Sequence, residues 1–113
     1  MDRDKDRSVK DFLSVLGYLF LQNGKFARAR KILLALHALH PDDPEVTRAL
    51  MYGSFMAGFP AEALPLAEAY LAAPGLSERD RALGTLLSGR ILWALDRKEE
   101  ARNLLKNFSL PSP

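Results

Sequence analysis

Several kinds of residue are missing from this chain of 113, and each absence removes a class of function. There is no cysteine, which excludes disulfides, thiolate metal sites and cysteine nucleophiles, and fits a reducing compartment. There are only two histidines, His37 and His40. They stand three apart with no third ligand placed by the sequence, and Asp42 and Asp43 beside them read as turn and cap residues, so no metal is assigned. Charge of one sign is missing too: 16 basic against 14 acidic residues leave +2, too little to suggest nucleic acid. No apolar run reaches the ~20 residues of a membrane span, since Phe12 to Leu21 is far shorter and periodic. The start, Met1 to Arg7, is charged and mixed in sign with no apolar h-region after it, so no secretory signal is read and a cytoplasmic setting is expected.

Catalytic patterns are equally scarce. Gly84 and Gly89 fall inside a helical pattern and not between strand and helix, so no phosphate-binding loop is present. Ser14, Ser54 and Ser88 have no nucleophile motif around them. Glu99 and Glu100 suit the solvated first turn of a helix, where carboxylates favour the dipole. No catalytic residue and no cofactor are assigned.

What is present is helical periodicity with punctuation. Hydrophobic residues make up 48% of the chain, enough for a core, and no sustained period-two pattern suggests a strand. Ser8, with Asp11 three residues on, is expected to cap a first helix that ends at Asn23-Gly24. A second helix is expected from Phe26 to Leu39, stopped by His40-Pro41-Asp42-Asp43-Pro44. Asp43 caps a third, from Pro44 to about Ala57. A fourth, about Ala61 to Ala72, contains Pro65, placed in its first turn, where a missing N–H has no helical partner. Ser77 with Asp80 opens a fifth, running to about Leu95, and the sixth covers about Lys98 to Asn107.

The spacing then makes a repeat. Gly24 and Gly58 lie 34 apart, as do Ala29 and Ala63, and Ala101 follows Ala63 by 38. Four extra residues are thus expected in the third unit, in the Ala73–Asp80 loop. This register sets Gly89 where Gly17 sits, with Met51 between them. From Lys10 to Pro41 the residues Leu13, Leu16, Gly17, Phe20, Gly24, Phe26, Ala29, Leu33, Leu36 and Pro41 resemble the signature of the tetratricopeptide repeat, a helix–turn–helix of 34 residues. The resemblance implies an all-α fold of three hairpins in a short right-handed superhelix without a capping helix. Residues 1–7 are expected as a charged N-terminal tail, 8–108 as one repeat domain (units about 10–43, 44–77 and 82–113), and 109–113 as a C-terminal tail.

In such arrays the leading helix of each hairpin lines the concave side. Carried by register, this gives partner-binding candidates Tyr18, Leu21 and Gln22 from the first unit. Arg48, Tyr52, Phe55 and Met56 come from the second, and Arg90 and Trp93 from the third. Tyr18, Tyr52 and Arg90 are equivalent to one another, as are Leu21, Phe55 and Trp93. A set so rich in aromatics, Met and Arg matches the residues that dominate interface energies. Phe55 and Trp93 also suit packing between hairpins. The lysine and asparagine clamp that grips acidic tails in some arrays is missing, because Ser14, Tyr18, Arg48 and Tyr52 occupy those positions. Leu104, Leu105 and Phe108 are expected to stay partly exposed at the last hairpin, where a partner or self-association would cover them.

The run Phe12-Leu13-Ser14-Val15-Leu16-Gly17-Tyr18-Leu19-Phe20-Leu21-Gln22-Asn23-Gly24 resembles the opening repeat of the YscY (SctY) chaperones of bacterial type III secretion. The likeness continues through Ala27 to Leu36 and the Leu39-His40-Pro41 end. It implies a small cytoplasmic chaperone that holds a YscX (SctX)-like secretion protein. The needle-subunit chaperones of the YscG (SctG) type and a general assembly scaffold share the architecture and remain alternatives. No nucleic-acid or membrane partner is implied.

Overall fold

A computed structural model describes residues 3–106 and 108; the expected tail 109–113 and the helix end at Asn107 lie outside the described residues. Six helices follow one another: α1 (Arg3–Gln22), α2 (Phe26–Leu39), α3 (Pro44–Met56), α4 (Pro60–Ala72), α5 (Glu78–Ala94) and α6 (Lys98–Lys106). No strand occurs among the described residues. Each helix packs against the next in sequence, and the leading helices also touch in series, α1 to α3 and α3 to α5. The result is three stacked hairpins, the all-α arrangement that the spacing predicts.

Local signals account for most boundaries. The Asp43 carboxylate accepts from the Glu45 amide at 3.0 Å, with Pro44 at the first helical position. Ser77 Oγ accepts from the Asp80 amide at 3.0 Å. The three hairpin turns share one backbone device: Gly24 (φ +71), Gly58 (φ +92) and Asp96 (φ +59) all take the left-handed conformation that ends a helix. Aspartate is among the few non-glycine residues that tolerate it.

Two boundaries and the placement of the extra residues differ from expectation. First, α1 begins at Arg3, so Ser8 is an exposed residue within the helix and the expected charged tail is mostly helical. Nothing between Arg3 and Ser8 breaks a helix, and the Arg and Lys there are good helix formers. Second, α4 starts at Pro60, which places Pro65 beyond the first turn. There its ring deprives the Ala61 carbonyl of a donor, but both residues are exposed and water can serve the carbonyl. Third, the extra residues of the third unit do not lengthen a loop. The α4–α5 connection is short, and α5 starts at Glu78, directly after the expected Ser77 cap and four positions ahead of the register equivalent of Pro44. Four residues are close to one helical turn. The Ser77 cap and the acidic Glu78 and Asp80 in the first turn nucleate it early, and Arg81 Nη1 donates to the Leu71 carbonyl at 3.0 Å to tie it to the end of α4.

The hairpins close through small residues. Ala29, Ala63 and Ala101, one per trailing helix, are 0%, 0% and 1% exposed. Opposite them, volume is traded between the two helices. A Cβ on Gly17 would come within 3.0 Å of Leu33, and one on Gly89 within 2.7 Å of Leu105. In the middle hairpin the equivalent positions are Met51 and Ala67, both buried in one cluster. Large and small have changed sides, and the close approach is kept. The same exchange occurs between hairpins. Leu36 and Val46 pack in the first cluster, whereas their equivalents are Tyr70 and Gly84, where a Cβ would meet the Tyr70 ring at 3.0 Å.

Two outcomes are expected. Gly17→Met should destabilise by roughly 3 kcal/mol, at the upper end of overpacking costs, and Leu33→Ala by a similar amount, roughly 3 kcal/mol, through its cavity. The double variant reproduces the middle hairpin, and its cost in urea unfolding should fall below the sum by about 1 kcal/mol or more. Separately, Lys10 Nζ lies 2.7 Å from Asp43 Oδ2 and holds that carboxyl below its ordinary value of 3.8, helped by backbone amides against the opposing effect of burial. A lowered carboxylate stabilises the fold fully above its unfolded value and loses that contribution as pH falls through the folded one. Asp43→Asn keeps a good cap but loses the ion pair. Its melting temperature should lie below that of the parent at neutral pH, by no more than about 1 kcal/mol of stability, and the gap should close in strongly acidic buffer.

Candidate functional site

The leading helices enclose a cavity of about 530 Å3. α1 contributes Tyr18 and Leu21, and α3 contributes Arg48, Ala49, Met51 and Tyr52. α5 supplies Leu83, Gly84, Leu86, Leu87 and Arg90, while Tyr70 of α4 and Leu105 of α6 reach in from behind. Tyr18, Tyr52 and Arg90, equivalent across the three units, therefore face one space. The four-residue insertion adds about one turn to the start of α5 and leaves this alignment intact.

The wall is apolar with a few fixed polar groups. Leu83 is 47% exposed and Tyr52 37%, so apolar surface stands open to solvent along the groove. The Tyr52 ring is held edge-on against Phe26 at 6.0 Å between centroids. Arg48 Nη2 donates to Glu45 Oε2 at 2.6 Å, and Nη1 lies 3.9 Å from Asp80 Oδ1, so its guanidinium spans from α3 to the first turn of α5. Burial pushes the Tyr18 phenol above its ordinary value, with Glu45 adding to the effect and Arg48 opposing it. Burial does the same to Tyr70, reinforced by Asp80. The Arg90 guanidinium lies 5.1 Å from the centre of the Phe55 ring.

The remaining expected residues lie elsewhere. Gln22 and Met56 are exposed but do not line the cavity. Phe55 is half-buried and packs against the second core cluster. Trp93 is 49% exposed beside α6, with Lys98 Nζ 5.2 Å and the Arg102 guanidinium 5.6 Å from its ring. A common cause explains the split. The Leu21, Phe55, Trp93 position points toward the next hairpin: Leu21 meets Gly53 of α3, where a Cβ would be 3.3 Å away. Phe55 lies under Arg90 of α5, and no following hairpin among the described residues covers Trp93. Leu104 and Leu105 are half-buried, as is Phe108.

Tyr70, Met51, Gly84 and Leu87 line the cavity without having been expected there. Gly84 was the available signal, because a glycine inside a helix pattern often marks the seat of a bulky neighbour. Among the described residues no three His, Asp or Glu side chains gather as metal ligands, and no helix is long and apolar enough to cross a membrane.

The family model for the tetratricopeptide repeat matches residues 11–55, spanning most of α1, all of α2 and nearly all of α3. The match supports a tetratricopeptide-repeat protein, and that repeat is a protein-interaction fold. No curated protein and no solved structure matches the chain.

The placement of the two aromatic positions predicts a clean separation. Phe55→Ala should lower stability by about 2 kcal/mol, below the range for a fully buried phenylalanine because the ring is half-buried, whereas Tyr52→Ala should cost about 1 kcal/mol or less. Thermal unfolding of the two single variants checks this.

Proposed function

We propose that this chain is a protein-binding module whose groove holds a segment of a partner protein. The observation that carries the reading is the convergence of Tyr18, Tyr52 and Arg90 on one open, largely apolar cavity. Leu83, Leu86 and Leu87 offer burial to an apolar side of the segment, which supplies the driving force. The phenols and the Arg48 and Arg90 guanidiniums offer oriented donors to its carbonyls and carboxylates. In this reading Tyr18, Leu21, Arg48, Tyr52 and Arg90 touch the partner directly. Gln22 and Met56 act at the rim of the same face.

The finer proposal is a small cytoplasmic chaperone of a bacterial type III secretion system. Its client would be a YscX (SctX)-like secretion protein whose exposed apolar helix the groove shields. The likeness of the first repeat to the YscY (SctY) chaperones supports it. The match to a general repeat model favours a second reading, an assembly scaffold for partners that fold by themselves.

Co-expression with a YscX-type protein from the same genome tests the first reading. A soluble, near-stoichiometric complex is expected, and Leu83→Glu combined with Tyr52→Ser should weaken it about a hundredfold or more with helical circular dichroism unchanged. Failure to form a complex would remove the chaperone reading. A complex indifferent to the paired substitution would remove the groove.

A further inference from the structure

Helix α1 has two apolar sides, and the fold uses only one. Leu13, Tyr18, Phe20 and Leu21 pack against the first core cluster. On another side of the helix Val9, Phe12, Val15 and Leu19 are 50%, 65%, 59% and 48% exposed. Their spacing of three, three and four residues forms a continuous stripe that extends roughly 15 Å along the helix. An isolated exposed leucine is unremarkable, but an unbroken stripe on a helix marks a contact surface. It is separate from the groove, which Tyr18 and Leu21 enter from a different side.

We infer that this stripe docks a second copy of the same chain, with the two α1 helices antiparallel. Two features select this occupant. The first is self-complementarity. Reversed about a point near Ser14, the stripe maps onto itself: Val9 falls opposite the second copy's Leu19, and Phe12 opposite its Val15. An interface between identical copies related by a twofold axis requires this property. The second is charge. The segment from residue 3 to residue 10 is net basic, with Lys5 and Arg7 exposed, while the last turn of α1 has no basic residue. A helix C-terminus carries partial negative charge, which a nearby cation stabilises. Antiparallel pairing sets the basic start of each helix beside the C-terminal end of the other, whose last turn has no basic residue. A parallel pair would bring the two basic segments together.

The chain has no cysteine, so single introduced thiols report the geometry cleanly. The full chain should sediment as a reversible dimer at concentrations up to about 100 µM, with mass action setting the fraction. Phe12→Glu with Val15→Glu should raise its dissociation constant at least about tenfold while helix content and groove binding persist, since all the altered side chains are solvent-exposed. A short bismaleimide should link Val15→Cys to itself and Val9→Cys to Leu19→Cys in a mixture, but not Val9→Cys to itself. A chain monomeric throughout this range overturns the inference, and so does a dimer insensitive to the paired glutamates. Self-linking of Val9→Cys would show a parallel pair and overturn it equally, as would occupation of the stripe by a different protein with no dimer formed.

Discussion

The closeness of the two helices within each hairpin is the constraint on which the remaining structure rests. Side chains larger than alanine at positions 29, 63 and 101 would force the helices apart, and those three alanines are essentially without solvent contact. The neighbouring contact does not demand a particular residue on a particular helix. It demands one large and one small partner of roughly similar combined volume, as in Gly17 with Leu33, Met51 with Ala67 and Gly89 with Leu105. Interiors packed as densely as organic crystals leave little freedom to relax around a misfit. Spacing between helices thus follows from these pairs, and the inner wall follows from the spacing.

That wall combines apolar surface with a few polar groups held in place by their neighbours. Desolvation raises the Tyr18 and Tyr70 phenols above their ordinary value. Arg48 is shared between two carboxylates on different helices. Buried or half-buried charge is tolerated where its partners are fixed in place, and here they are fixed by helix starts. The outer face has a corresponding tie: Arg30 of α2 donates through Nε to Glu62 of α4 at 3.0 Å and lies over the Phe59 ring at 4.0 Å.

Much of this was legible from residues alone. The glycines at 24 and 58, the caps at Asp43 and Ser77, and the alanine spacing locate the hairpins because each reflects a local requirement that few residues meet. The alignment of Tyr18, Tyr52 and Arg90 follows from register. What could not be read was of two kinds. The helix start at Arg3 lies within a charged segment that suits helix and loop alike, and nothing local marks where the helix begins. The fate of Phe55 and Trp93 depends on what lies above them in the stack, a non-local fact. Met51 looked like a lapse from the repeat pattern because its compensating partner, Ala67, is on another helix, and pairing of that sort is visible only in three dimensions.

The added turn at the start of α5 has an effect beyond geometry. Asp80 belongs to that turn and reaches toward Arg48 across the mouth of the groove. An array with uniform 34-residue spacing would lack the turn and this carboxylate with it. Arg48 would then have only Glu45, and the cleft would present more positive potential to whatever approaches. Repeat length and the electrostatics of the groove, ordinarily independent variables, are coupled in this molecule by a single turn of helix.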